Sequence, residues 1–272
     1  MIRIEPDLVA AARLGSRAAL EALVRSIERP IFNIAIRMLA HRADAEDATQ
    51  EILIRIITNL GSIEDVGAAG AWAFRIACRH LVHERKRGAI EAMRLTFQGF
   101  ASDIEAGLAP IEDAGLSDAE EAIAIQEVKI GCTLAMLTCL SRKNRMAYIL
   151  GDVFEVPDRE AAEILEIEAA TYRQRLKRAR GAVMSFVTTS CGLVGNAAAC
   201  RCAKRVEPAL RCGRVAPGRA DFAAGAGKHP NVSEIRKHIS ALEQGRATTA
   251  LMRSNPDFVA RVSEIVLRDL AF

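Results

Sequence analysis

Aromatic side chains are scarce in this chain, only 4% of its 272 residues, with a single Trp and two Tyr. A core must therefore be filled by aliphatic groups. Ala, Leu, Ile, Glu and Arg supply most of the sequence, a mixture that favours helices. Strand-rich stretches and long fibrous repeats are lacking, and the length suits two or three small domains. The expected architecture is all-α: two small helical domains joined by an acidic flexible linker, the second a helix-turn-helix, followed by a helical C-terminal appendix.

Long apolar runs are missing too. The uncharged stretch from Val183 to Cys200 is diluted by Ser, Thr, Gly and Asn, so it would insert poorly into a bilayer. The opening Met1-Ile2-Arg3-Ile4-Glu5-Pro6-Asp7 lacks the basic and then apolar regions of a secretory signal. No membrane partner and a cytoplasmic location are expected. The five histidines, His41, His80, His83, His229 and His238, form no nucleophile or metal triad with nearby carboxylates, and no phosphate-cradling Gly loop occurs. The chain is therefore not expected to be an enzyme.

The net charge of +3 says little about a polyanionic partner, but its distribution is informative. Between Phe100 and Val128 stand eight acidic residues and no basic one, whereas Arg173 to Arg180 holds five basic residues and no acidic one. The first block reads as helices with breaks at Gly15-Ser16 and near Arg29-Pro30. Residues 91–116 collect Gly, Pro and acid and read as a self-repelling tether. Ser117-Asp118-Ala119-Glu120 is a capping box that should open a helix, Ser141 can cap a second, and Asp158 a third. The boundaries expected are 1–90, 91–116, 117–188 and 189–272.

In Ala43-Asp44-Ala45-Glu46-Asp47-Ala48-Thr49-Gln50-Glu51, helical spacing gathers Ile52, Leu53, Ile56, Ile57 and Leu60 on one side and Asp44, Asp47, Glu51, Arg55 and Thr58 on the other. By itself such a stripe is a solvated helix face. The order Asp-Ala-Glu-Asp-x-x-Gln-Glu resembles the helix by which extracytoplasmic-function (ECF) sigma factors of the sigma-70 family hold core RNA polymerase. Downstream, Trp72-Ala73-Phe74-Arg75-Ile76-Ala77-Cys78-Arg79-His80 resembles the segment of that family that faces the minus-10 promoter element. The resemblance implies that Asp44, Asp47, Gln50 and Glu51 meet core polymerase, and that Arg75, Arg79, His80, Arg85, Lys86 and Arg87 supply charge for captured DNA. Trp72 and Phe74 read as core anchors, because aromatics one turn from an Ile-Ala stripe pack inward. The family carries Asn where Arg79 stands here.

Asp158 to Leu165, a short turn, and Ala169 to Arg180 form the second unit. Ala169, Tyr172, Leu176, Ala179 and Val183 make an inward stripe, and Ala170, Arg173, Gln174, Lys177 and Arg178 point outward. Such a helix is either an ordinary basic surface or a major-groove reader, where Arg and Gln address purine edges while Lys and Arg neutralise phosphates. It resembles the sigma module that reads the minus-35 element, with Ala170, Thr171, Arg173, Gln174, Lys177 and Arg178 facing DNA. The turn position that is Gly in the family is Glu166.

Seven cysteines in a reducing compartment argue against a disulfide framework. Cys78, Cys132 and Cys139 sit among apolar helical residues and read as core. Cys191, Cys200, Cys202 and Cys212 are either inert free thiols or four ligands for zinc or another soft metal, with Arg201, Lys204, Arg205 and Arg211 favouring deprotonation. No cofactor is required by the reading. The partners implied are core RNA polymerase and promoter DNA, with room for an anti-sigma factor. The alternative is a helix-turn-helix regulator that senses metal or redox state without docking on polymerase.

Overall fold

A computed structural model describes residues 4–83, 88–108, 115–222 and 230–269. Among them every regular element is helical. The order is α1 (Pro6–Arg13), α2 (Arg17–Leu39), α3 (Arg42–Thr58), α4 (Ala69–His83), α5 (Ala89–Ala92), α6 (Phe97–Ala106), α7 (Asp118–Thr138), α8 (Arg142–Tyr148), α9 (Asp158–Ile164), α10 (Ala169–Ser190), α11 (Val206–Arg211), α12 (Val232–Ser240), α13 (Gln244–Arg253) and α14 (Ser263–Asp269). No helix of the described residues is long and apolar enough to cross a membrane.

Local signals place many helix starts. Ser16 accepts from the Ala19 amide and starts α2, and Ser141 does the same for α8 through Asn144. Ser117 and Glu120 close the reciprocal box that opens α7. Asp158 lies in the first turn of α9, and Pro157 takes the cap position assigned to it. The break expected at Pro30 does not occur. Helix α2 runs through it, because Ile27, Ile31, Phe32, Ile34, Ala35, Ile36 and Met38 around it are buried, and their burial outweighs one missing backbone bond.

Helices α1 to α4 pack around α2, and α7 to α10 form a second group against it, with one continuous apolar core running through both. The stretch read as a loose tether carries α6, whose Phe100 and Ile104 are buried. Phe97 and Phe100 pack on the Phe186 ring of α10, with centroids 5.2 and 5.3 Å apart. Phe97, Phe100 and Ile104 follow helical spacing, so an apolar stripe was present among the acids. The C-terminal appendix is not separate either: α14 lies on α2 and α3, and α13 on α10.

Candidate nucleic-acid and polymerase interfaces

Helix α3 buries Ile52, Leu53 and Ile56 and turns Asp47, Glu51, Arg55 and Thr58 to solvent. Gln50 is half-buried. Asp44 is half-buried as well: its Oδ2 lies 3.1 Å from His41 Nδ1 and accepts from the Ala89 amide at 2.6 Å. A Cβ at Gly88 would sit 2.6 Å from that oxygen, so glycine before α5 lets the Asp44 carboxylate approach without shifting. Nothing in the local pattern announces this link between α3 and the start of α5.

Helix α4 exposes Arg75 and Arg79 and buries Phe74, Ala77 and Cys78, with Trp72 half-buried against the core. His80 belongs with the inward set. It is 5% exposed, and its Nε2 stands 3.8 Å from Glu51 of α3, so in this arrangement it faces the interior and not a nucleic acid. Arg85, Lys86 and Arg87 lie outside the described residues. Arg79 reaches across to the helix-turn-helix and donates to Glu166 at 2.6 Å.

In the second unit α9 and α10 flank the turn 165–168. Tyr172, Leu176, Ala179 and Val183 are buried, which leaves Ala170, Arg173, Gln174, Lys177 and Arg178 exposed on one face and Thr171 half-buried beside them. Two contacts aim that face. Tyr172 donates to the Ala147 carbonyl at 3.3 Å, and Arg180 forms a two-pronged bond to Asp152 at 2.6 to 3.0 Å. Asp152 sits on a π-helical turn, 149–153, that extends α8. There Gly151 admits the close approach, since a Cβ would meet the Tyr172 hydroxyl at 2.7 Å and Leu176 Cδ2 at 2.8 Å. Glu166 occupies the left-handed region at φ 53°. The turn keeps the conformation that glycine favours, and the non-glycine residue bears its strain.

The cysteines regroup. Cys132, Cys191, Cys200 and Cys202 lie near enough to raise one another's pKa, whereas Cys212 is exposed and is not among the groups that shift them. Burial acts first and pushes Cys191 up to about 11 and Cys132 to about 12. The neighbouring arginines lower the values without overcoming burial, contrary to the deprotonation expected from their closeness in sequence. Among the described residues no group of three or more His, Cys, Asp or Glu is placed to hold a metal ion.

The model of sigma-70 region 2 matches residues 23–89, and that of sigma-70 region 4 matches residues 130–183. These intervals contain the acidic face of α3 and the helix-turn-helix respectively. The chain is similar to the ECF RNA polymerase sigma factor SigE of Mycolicibacterium smegmatis, 27% identical over 178 residues, which is 64% of each protein. It is also similar to the ECF RNA polymerase sigma factor SigJ of Mycobacterium tuberculosis, 28% identical over 158 residues, 58% of this chain and 48% of that one. The chain thus spans less than two thirds of the length of these relatives. The chain therefore carries sigma-70 region 2 and region 4, in that order, with homology to ECF sigma factors.

Proposed function

We infer that the protein is a sigma factor, which docks on core RNA polymerase and directs it to promoters with minus-10 and minus-35 elements. The observation that carries this is the exposed, one-sided face of α10 in the same chain as the exposed acidic face of α3. Docking is assigned to Asp47 and Glu51, with Asp44 and Gln50 at the edge of the face. Arg75 and Arg79, together with Arg85, Lys86 and Arg87, address the melted minus-10 strand, where phosphate contact and stacking must offset lost base pairing. Ala170, Thr171, Arg173, Gln174, Lys177 and Arg178 address the minus-35 major groove: Arg and Gln read base edges, and Lys holds phosphate.

Joining two weak grips in one chain makes the second intramolecular, so neither needs to bind tightly alone. The protein contributes position and charge, and bond formation belongs to polymerase, so no cofactor enters this mechanism. Cys212 stands apart from Cys191, Cys200 and Cys202, so a soft metal there is a separate question, tested by metal analysis of the purified protein beside a Cys200→Ser, Cys202→Ser variant. A run-off assay with core polymerase and a promoter library tests the main reading. Template-specific transcripts are expected, and absence of any association with core polymerase would favour the stand-alone regulator.

A further inference from the structure

The residues between α13 and α14 run without helix, yet several of their polar groups are bonded to the helices around them. Toward α2, the Phe258 carbonyl accepts from Asn33 Nδ2 at 2.8 Å and the Phe258 amide donates to Asn33 Oδ1 at 2.9 Å. Arg37 donates to the Pro256 carbonyl at 3.2 Å with its guanidinium 4.9 Å from the Phe258 ring, and Arg42 of α3 donates to the Val259 carbonyl at 2.8 Å. Ser263 donates through its amide and hydroxyl to Glu28 at 2.7 and 2.8 Å. At the rim Asp257 pairs with Arg29 at 2.7 Å.

Toward the other unit the same segment is held as firmly. Lys129 of α7, 1% exposed, donates to the Ser254 carbonyl at 2.9 Å and to Asn255 Oδ1 at 3.2 Å. Thr133 donates to the same Asn255 oxygen at 2.9 Å. Arg253 pairs with Glu155 at 2.7 Å and donates to the Asp152 carbonyl on the turn that aims α10. Buried, charge-assisted bonds of this kind are the strong class. They tie α2 and α3 to α7 and the end of α8 through one short piece of chain.

The joined state also sets α4 against α8 and α9, with Arg79 on Glu166. Under the sigma reading, on which this inference rests, the two faces serve elements about 25 base pairs apart, roughly 85 Å along B-DNA. Helices in contact cannot span that distance. The outward face of α3 stays exposed in the joined state, so docking is open while two-element binding is closed.

We propose that residues 253–263 form an intramolecular clasp that holds regions 2 and 4 together and must let go before both promoter elements are engaged. Two full-length variants test it. Lys129→Met keeps the apolar stem of a buried side chain and gives up its bonds to Ser254 and Asn255. Asp257→Arg turns an exposed pair into a repulsion with Arg29, and adding Arg29→Glu restores attraction. Small-angle scattering should give a larger radius of gyration for both variants, with helical content unchanged by circular dichroism. The Arg29→Glu, Asp257→Arg double variant should return to the wild-type size.

With sub-saturating protein, Lys129→Met should raise run-off transcription and duplex promoter affinity about tenfold, and Asp257→Arg a few-fold, with affinity for core polymerase unchanged. Folded variants that scatter like wild type and transcribe at its level overturn the clasp. A wild type that never binds polymerase overturns the sigma reading instead, a failure told apart because the scattering comparison uses no polymerase.

Discussion

Glu91 offers a sharp test of what joins the two halves. Its carboxylate is 8% exposed and lies on α5, just beyond region 2. It accepts from Arg142 Nε at 3.0 and 3.1 Å, from Arg142 Nη2, and from Arg145 Nη1 at 2.8 Å. Arg145, 3% exposed at its side chain, also donates to the Met38 carbonyl of α2 and to the Thr138 and Leu140 carbonyls, each of the last two at 3.0 Å. One carboxylate thus balances two guanidiniums at the seam. Glu91→Gln keeps an acceptor of the same shape and deletes the charge, leaving a buried cation without compensation. Breaking a buried pair in this way costs about 3–5 kcal/mol, a large share of the roughly 5–15 kcal/mol that holds a protein folded.

The pH dependence carries a sign of its own. Burial pushes the Glu91 carboxyl up, but hydrogen bonds and charge from Arg142 and Arg145 outweigh it and hold the group below its ordinary value of 4.5. A carboxyl depressed on folding stabilises fully above its unfolded value, and that contribution fades as pH falls through the folded value. Urea denaturation followed by circular dichroism should therefore show the full penalty of Glu91→Gln near neutrality and a shrinking one in acid. A loss under about 1 kcal/mol at neutrality, or one of the same size in acid, would refute the reasoning about this seam.

Other outcomes follow from features described above. Raising pH from about 9 to about 10 should destabilise the protein, because Cys132 and Cys191 keep their protons when folded and lose them when unfolded. Each opposes folding by up to about 1.4 kcal/mol per pH unit, which outweighs the opposite drift from Lys129, whose pKa burial lowers to about 8; a flat urea midpoint across that range counts against it. Glu166→Gly should relieve the left-handed turn and stabilise by roughly 0.5–1 kcal/mol net of an exposed ion pair, read as a higher denaturation midpoint. Lys177→Ala should weaken duplex binding similarly on all sequences and lower the salt slope by about one, whereas Arg173→Ala should relax preference at one base position, both measured by fluorescence anisotropy over a salt series.

What could be read from sequence was whatever local spacing encodes. The inward stripe Tyr172, Leu176, Ala179 and Val183 is buried as expected, and so are Ile52, Leu53 and Ile56, since each needs only one helix and a core. Ser117 and Ser141 cap the helices they announce because a cap is a contact three residues long. Long-range partners decided the rest. Pro30 stays helical because of what surrounds α2, and His80 turns inward because α3 stands beside α4. Cys132 joins Cys191, Cys200 and Cys202 through the seat of the segment that follows α10 on α7, a juxtaposition no spacing rule contains. About half of the grip of residues 253–263 is made by backbone carbonyls and amides, which carry no sequence signature at all.

The scarcity of aromatic rings leaves the chain with one indole, Trp72, on the helix that bears Arg75 and Arg79 and half-buried against the core of that unit. Excited near 295 nm, the native molecule therefore emits from a single known place. Its emission colour and quenching by iodide follow the surroundings of α4 without any dye or engineered label, and a stopped-flow trace during promoter addition times events on that helix alone.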